Sequence, residues 1–354
     1  MKKVLTILLT LAMVFCFFAC GEKEAETYEI GMVTDVGTID DKSFNQGTWE
    51  GVKAYGDAED ITYKYYQPTA DTDDARMEQI DNAVANGAKV IVTPGYLFEK
   101  VIYQAQQKYP KVTFLFIDGA PKKDQDTESI AENTVGISFA EQDAGYLAGY
   151  AAVKDGYTKL GFMGGIPVPA VVRYGYGFVE GANAAAKELG IKDVEIKYNY
   201  TNSFNASPDI QAKAAGWYKG GTEVIFSCGG GIFASITAAA EAAEAKVIGV
   251  DVDQSGESKA VITSAMKNLN GAVQKVLGDY YGGTFEGGKH LVLGSADDAV
   301  GLPMETSLFE KFTKEDYDAV YAKVKDGTIK ISTDADAKTA KDLKVSAVKV
   351  KVVE

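Results

Sequence analysis

The feature that most constrains the fold of this chain is a regular alternation of short apolar runs with longer helical stretches. The apolar runs end in turn-forming residues such as Gly, Asp or Pro, which is typical of strands; they lie at 28–36, 89–95, 112–120, 159–165, 223–231 and 246–254. Helical stretches between them lie at 45–58, 73–85, 141–153, 176–189 and 233–245. This alternation predicts an α/β fold class, with βαβ units around parallel sheets.

The same order of strand, turn and helix occurs before about residue 135 and again after about residue 158. We therefore predict two similar doubly wound lobes rather than one large sheet. Ligands of such sheets bind beyond the carboxyl ends of the strands, so the residues that follow each apolar run are the candidate site. Those residues are polar, aromatic or glycine: Asp35, Asp41, Lys42, Ser43, Phe44, Asn45, Asp118, Arg173, Phe204, Gly229, Gly230, Asp251, Asp253, Gln254 and Lys267.

Composition excludes several classes of function. The 354 residues include 50 acidic and 36 basic side chains, a formal net charge of −14 without a basic run, which argues against nucleic-acid binding. With one histidine, His290, and three cysteines, Cys16, Cys20 and Cys228, the chain lacks the residues for a His/Cys metal cluster and for most histidine-based catalysis. We predict no metal site, no cofactor and no enzymatic activity.

Known catalytic and phosphate-binding motifs are also missing. The glycines at 229–231 are not followed by GxxxxGK[ST], so we interpret them as positions where backbone and ligand approach closely. No GxSxG turn exists, and no Ser-His-Asp arrangement is predicted around His290. Cys228 ends an apolar strand and is interpreted as a buried, inert thiol.

The first residues are typical of an export signal. Lys2 and Lys3 precede an apolar run over 4–19, which predicts a signal peptide at 1–19. The run is shorter than the roughly 20 residues of a comfortable bilayer span, although a short membrane anchor remains an alternative. Cys20 follows the small Ala19 and resembles the acylated cysteine of bacterial lipoprotein signals. We therefore predict lipidation at Cys20, a tether at 20–27 and an extracytoplasmic location; the alternative is a plain secreted protein.

The block DVGTIDDKSFNQGTWEG at 35–51 closely resembles the start of the basic membrane protein family, purine nucleoside-binding lipoproteins of bacterial ABC importers. Further blocks follow in the family's order, among them FIDG (116–119), GFMGGIPVP (161–169), GFVEGAN (177–183), SFN (203–205), VIFSCGGG (224–231), GVDVDQ (249–254) and TSAMKN (263–268). The resemblance implies a type I periplasmic-binding-protein fold with two hinged lobes. It suggests a first lobe of 28–138 plus about 268–300 and a second of 139–267 plus about 301–354.

The resemblance also implies a ligand and a role for each site residue. Adenosine, guanosine or inosine would bind between the lobes, for delivery to the permease and ATPase of an ABC importer. The implied contacts are Phe44 and Phe204 on the two faces of the base, Asp118 at the purine edge, Asp251 and Lys267 on the ribose, Asp35 and Asn45 from the first lobe, and the backbone of Gly229 or Gly230. The SCGGG turn and the phenylalanine-poor segment 169–178 depart from the family pattern at the sugar end.

Two alternatives to a nucleoside receptor remain at this point. The fold hosts many ligands, so another small polar molecule such as a sugar could bind. A surface adhesin or signalling lipoprotein could also keep the fold. The tail at 336–354 is either a strand that caps a lobe or a loosely attached end.

Overall fold

The computed structural model describes residues 27–124 and 127–353. The predicted signal peptide at 1–19, the lipidation site Cys20 and all of the tether except Thr27 lie outside the described residues. Within the described part of the chain, thirteen β-strands and nine α-helices alternate along most of the sequence.

For the buried strands, the observed bounds are close to the predicted ones. The strands are β1 Ile30–Val33, β2 Tyr63–Tyr66, β3 Val90–Pro94, β4 Thr113–Ile117, β5 Thr134–Phe139, β6 Lys159–Gly164, β7 Val194–Tyr200, β8 Val224–Cys228, β9 Lys246–Asp251, β10 Val261–Lys267, β11 Lys289–Leu293, β12 Val300–Gly301 and β13 Val348–Val352. The α-helices are α1 Phe44–Glu59, α2 Asp73–Ala85, α3 Glu99–Lys108, α4 Glu141–Asp155, α5 Pro169–Leu189, α6 Pro208–Lys219, α7 Ile232–Ala242, α8 Leu269–Tyr281 and α9 Lys314–Lys325.

The strands form two sheets, in the orders β11-β5-β4-β3-β1-β2 and β12-β10-β9-β8-β6-β7-β13. All neighbours run parallel except the short β12, which is antiparallel to β10. Taken alone, the first five strands of each sheet have the same order, 2-1-3-4-5, the doubly wound order of flavodoxin-like folds. The predicted α/β class with two doubly wound lobes is confirmed. We call the first sheet with its helices the first lobe and the second sheet with its helices the second lobe.

The central strands are buried on both faces. Every residue of β1, β3, β4, β5 and β8 is buried, and their sequences are nearly continuous apolar runs, as expected for parallel strands covered by helices on both sides. Under the second sheet, the Phe162 ring stacks on Tyr198 with centroids 4.5 Å apart and meets Phe226 edge-on at 5.5 Å. These rigid strands fix the positions at which their carboxyl ends present polar residues.

The chain crosses between the lobes three times, and the three crossings lie side by side. The chain leaves the first lobe after β5. There the Ala140 amide donates to the carbonyl of Leu293, the last residue of β11, at 2.9 Å. The Ser295 hydroxyl donates to Asp143 at 2.6 Å, and the Asn268 amide donates to the Ala299 carbonyl at 2.8 Å. These bonds join all three crossings into one hinge.

The C-terminal tail ends in a strand of the second sheet. Val348–Val352 pair in parallel with β7 from Val194 to Tyr198, at the sheet edge. Exposed Lys349 and Lys351 alternate along β13 with valines, and each faces an acidic residue near β7. The tail is therefore a strand that caps the second lobe rather than a loosely attached end. Its exposed lysines make the outer edge of the sheet polar.

Helices α4 and α5 pack unusually closely in the second lobe, because glycines of each helix face the backbone of the other. A Cβ atom on Gly149 would lie 2.1 Å from the Phe178 carbonyl oxygen, and one on Gly181 would lie 1.9 Å from that of Tyr146. A backbone carbonyl cannot move aside as a flexible side chain can. Positions 149 and 181 therefore accept glycine and no residue with a Cβ atom.

We predict that Gly149→Ala destabilises the protein by about 1–3 kcal/mol, because the added methyl forces α4 away from α5. Gly216→Ala in the exposed face of α6 is the matched control, since a Cβ atom there meets nothing within 4 Å. The control should raise stability by up to about 1 kcal/mol, as alanine favours the helix. Urea unfolding measures both, and equal effects of the two substitutions would contradict the close-packing account.

Candidate functional site

A cavity of about 170 Å³ lies between the lobes, at the carboxyl ends of both sets of parallel strands. A buried water needs roughly 10–15 Å³ of such space, so the cavity has room for a small organic molecule. All nine site residues predicted from the sequence line it: Asp35, Phe44, Asn45, Asp118, Phe204, Gly229, Gly230, Asp251 and Lys267. Among the wider set of residues at strand ends, Asp41 also lines the cavity, whereas Lys42, Ser43, Arg173, Asp253 and Gln254 do not.

The two lobes contribute to the cavity from equivalent positions. Asp118 follows the fourth strand of the first sheet, β4, and Asp251 ends the fourth strand of the second, β9. Both have left-handed backbones, with φ of 63° and 67°, which is uncommon outside glycine and tolerated best by Asn and Asp. Such conformations persist where the surrounding structure enforces them, and they cluster at functional sites. The repeated fold thus points one carboxylate into the cavity from each lobe.

Lys267, the last residue of β10, lies between these carboxylates. Its side chain is only 2% exposed. The ammonium donates a hydrogen bond to Asp118 Oδ2, and lies 3.5 Å from Asp251 Oδ1 and 3.8 Å from Glu141 Oε1. It also lies 4.4 Å from the centroid of the Phe44 ring, a cation–π distance. One buried cation therefore contacts both lobes and the start of the hinge helix α4.

The electrostatics of this cluster follow from burial. Desolvation alone would lower the pKa of Lys267, but Asp118, Asp251 and Glu141 outweigh it and raise this pKa above its ordinary value. Burial raises the pKa of Asp118, and the ammonium of Lys267 opposes that rise. Glu141, fully buried, also accepts a hydrogen bond at 2.6 Å from Arg173, so this arginine supports the cluster from outside the cavity.

A second polar group comes from the first lobe alone. The Asn45 amide donates to Asp35 Oδ1 at 2.9 Å and to Asp41 Oδ2 at 3.0 Å. Asp41 also accepts from the backbone N–H groups of Ser43, Asn45 and Gln46, and so caps the N-terminus of α1. Burial raises the pKa of Asp35 to about 6, although hydrogen bonds from Gly37 and Asn45 lower it. Asp35 is thereby held in place with acceptor capacity toward the cavity.

Two aromatic rings approach the cavity from opposite lobes. Phe44 begins α1 in the first lobe, whereas Phe204 lies in the loop after β7 in the second. The Phe204 ring packs so closely on Gly165 that a Cβ atom there would lie 2.4 Å from the ring. Both rings are partly buried and both line the cavity, as residues for stacking on a flat ligand require.

The lobes also make direct contacts across the cleft. The Ser43 hydroxyl donates to Asp251 Oδ2 at 2.5 Å, and the Gln254 side chain donates to the Lys42 carbonyl at 2.6 Å. Lys42 itself has a left-handed backbone, with φ of 59°. Lys42, Ser43 and Gln254 thus join the two lobes instead of lining the cavity.

Among the residues at the site that were not predicted, Glu141 belongs to the ionic cluster around Lys267 and Tyr174 lines the cavity. Tyr174 is 1% exposed and lines the cavity, and its buried hydroxyl has no hydrogen-bond partner among the described residues. Within the same described ranges, Asp118 Oδ1 is also unpartnered. Buried polar groups are normally paired, so these two atoms are candidates to hydrogen-bond a molecule in the cavity. Glu141 lies two residues after the end of β5, and this position after a buried strand is a signal that could have identified it.

No Ser-His-Asp arrangement was predicted around His290, and the structure instead places a serine and a glutamate beside it. His290 Nε2 lies 2.8 Å from the Ser138 hydroxyl, and Nδ1 lies 3.1 Å from a Glu128 carboxylate oxygen. None of the three lines the interlobe cavity. Ser138 lies within β5, which pairs with a strand on each side, so its backbone amides are not available as an oxyanion hole. The trio links β11 to β5 and to the preceding loop.

Cys228 is buried, as expected, and its burial raises the pKa of the thiol. In the ranges 27–124 and 127–353, no three His, Cys, Asp or Glu side chains are grouped to hold a metal ion. No helix within those ranges combines the length and apolarity needed to cross a bilayer.

The chain resembles known proteins over most of its length. Residues 29–335 match the model of the Bmp family, described as ABC transporter substrate-binding protein PnrA-like. A CD4+ T-cell-stimulating antigen of Listeria monocytogenes is 30% identical over 87% of this chain and 89% of its own. The ABC transporter nucleoside-binding protein BmpA of Lactococcus lactis is 27% identical over 79% of this chain and 82% of its own.

A solved ABC transporter solute-binding protein from Aeropyrum pernix shares the fold, with a TM-score of 0.74 at 23% identity over 89% of this chain and 95% of its own. The predicted periplasmic-binding-protein fold is thereby confirmed. The prediction of a non-enzymatic binding protein is also confirmed, because the family binds solutes for transporters. The matched residues contain every cavity residue named above and both lobes except the C-terminal strand β13, and the chain belongs to the Bmp family of PnrA-like ABC transporter substrate-binding proteins.

Proposed function

We propose that this protein captures purine nucleosides in the interlobe cavity and delivers them to the permease and ATPase of an ABC importer. The observation that carries the proposal is the pair of rings, Phe44 and Phe204, brought from opposite lobes to one cavity that also holds buried carboxylates. A relative is named as a nucleoside-binding protein, which supports the same ligand class. The predicted lipid at Cys20 would hold the receptor at the outer face of the membrane that contains the permease.

The base would lie between the two phenylalanine rings. Stacking on an aromatic side chain contributes roughly 1–3 kcal/mol per base and tolerates different bases. Asp35, fixed by Asn45, would accept a hydrogen bond from an N–H group at the purine edge. A lone sugar has no flat aromatic face, so this arrangement favours a nucleoside over a pentose.

The ribose would lie at the deeper end of the cavity, at Lys267. The resemblance assigns Asp251 and Lys267 to the sugar and Asp118 to the base. Because Asp118 is hydrogen-bonded to Lys267, we propose that its free Oδ1 atom accepts from a ribose hydroxyl as well. Tyr174 lines the same cavity, and its hydroxyl, unpartnered among the described residues, would supply a further hydrogen bond.

The charge of the cavity favours neutral ligands. Asp35, Asp41, Asp118 and Asp251 line it, and Lys267 is the basic residue among the lining side chains, with ion pairs to two of these carboxylates. A phosphate group would enter a region of excess negative charge without an unpaired cation to receive it, at a large desolvation cost.

We predict that Phe44→Ala and Phe204→Ala each weaken the binding of inosine by at least about tenfold, because each removes one stacking face. Phe285→Ala, a partly buried phenylalanine before β11 and outside the cavity, is the matched control and should leave affinity within about twofold. Isothermal titration calorimetry of refolded, ligand-free protein measures all three. Wild-type affinity in both cavity variants would rule out the sandwiched base.

We also predict that the affinity for inosine falls by about tenfold or more between about pH 7.5 and about pH 5. The Asp35 pKa of about 6 is raised, so the carboxylate that accepts the ligand N–H is lost as pH falls through this value. Asp35→Asn should bind more weakly at neutral pH and show a smaller change of affinity with pH. A pH dependence that is identical in wild type and variant would contradict the role of Asp35.

A third prediction concerns phosphorylated ligands. Inosine 5′-monophosphate should bind at least about 100-fold more weakly than inosine, because its phosphate meets the uncompensated carboxylates. High salt should not restore its affinity, since charges this deeply buried are poorly screened. Competition calorimetry against inosine provides the measurement, and comparable affinities for the two ligands would refute the charge argument.

A further inference from the structure

A second cavity, of about 400 Å³, adjoins the first on its outer side. We call it the outer chamber; its walls are residues 67–71 after β2, residues 202–205 after β7, and Asp35, Val36 and Ile166. The two loops follow the second strand of each lobe, so the chamber is built from equivalent parts of both lobes, like the inner cavity. Asp35, Phe204 and Asn205 line both spaces and form the boundary between them.

Exposed amide side chains without a protein hydrogen-bond partner among the described residues line the outer chamber. The carboxamides of Gln67, Asn202 and Asn205 make no hydrogen bond to another residue within 27–124 or 127–353. Each carboxamide offers an acceptor oxygen and two donor hydrogens. Asn202 is held in a left-handed conformation, with φ of 57°, between Thr201 and Ser203, which are tied to each other at 3.0 Å. Hydrogen-bonding groups of both polarities therefore face this space from both lobes.

Both acidic side chains in the lining of the outer chamber already have hydrogen-bond or ion-pair partners. Asp71 is paired with the guanidinium of Arg76, which is itself 3% exposed and also lies 3.6 Å from Asp73. Asp35 is the other acid in the lining, and its carboxylate already accepts hydrogen bonds from Gly37 and Asn45. Such a lining suits a neutral group that both donates and accepts hydrogen bonds.

We infer that the outer chamber is a subsite for a neutral, hydrogen-bonding substituent on the base of the bound nucleoside. The inference rests on the proposed function: a base between Phe44 and Phe204 with its edge at Asp35 ends at the boundary of the chamber. A group on the exocyclic amine would pass between Asp35 and Phe204 while the remaining N–H still donates to the carboxylate. The ligand class then includes base-modified purine nucleosides as well as the unmodified ones.

The test compares three ligands by calorimetry: adenosine and two derivatives whose exocyclic amine carries a hydroxyethyl or a propyl group. Wild-type protein should bind both derivatives within about tenfold of adenosine, since the chamber has room for either. The hydroxyethyl derivative should bind about threefold or more tightly than the propyl one, because one added hydrogen bond contributes about 0.5–1.5 kcal/mol.

Ala70→Trp provides the structural control, because Ala70 is exposed and lines the outer chamber but not the inner cavity. The indole should fill the chamber, weaken both derivatives by at least about tenfold, and leave adenosine within about twofold of wild type. Ala243→Trp, at an exposed alanine after α7, should change none of the three affinities.

Two outcomes would overturn the subsite. The hydroxyethyl derivative could bind wild type more than about 100-fold more weakly than adenosine, or Ala70→Trp could weaken adenosine and its derivatives equally. Absence of adenosine binding to wild type is a distinct result: it contradicts the proposed nucleoside function, and the subsite with it.

Discussion

The buried ammonium of Lys267 is the interaction on which the closed structure depends. A cation removed from water is stable only when carboxylates surround it, and here these come from three places: Asp118 in the first lobe, Asp251 in the second and Glu141 in the hinge. Opening the cleft would separate Asp118 from Lys267, and water would have to replace the ion pair between them. The ionic cluster therefore couples the closure of the lobes to the shape and charge of the cavity between them.

The repeated topology explains why so many polar groups converge. Each lobe has the strand order 2-1-3-4-5, and each delivers an aspartate in a left-handed conformation from its fourth strand and a glycine after its third, Gly95 and Gly229. Facing the two lobes across a hinge brings these strand ends together. Differences between the lobes then adapt the cavity to an asymmetric ligand: Asn45 and Asp35 belong to one side, and Lys267 and Tyr174 to the other.

Much of this arrangement could be predicted because buried parallel strands leave a strong pattern. The ends of β4 and β9 were located closely enough that Asp118 and Asp251 were assigned to the cavity. Helix α5 begins at Pro169, seven residues before the predicted start at residue 176. A proline at the first helical position resembles a helix break in the sequence, so Tyr174 was not assigned to the site. The contact of Ser138 and Glu128 with His290 spans more than 150 residues, and no local pattern encodes it. Orientation of side chains across the cleft likewise depends on how the lobes meet.

The measurement that tests the central claim most directly is a crystal structure of the protein grown with inosine after unfolding and refolding to remove any bound ligand. The account predicts electron density for a purine between the rings of Phe44 and Phe204, with the ribose hydroxyls within hydrogen-bond distance of Lys267, Asp118 or Asp251. Density for the nucleoside at another surface, or an interlobe cavity filled only by water at saturating inosine, would contradict it.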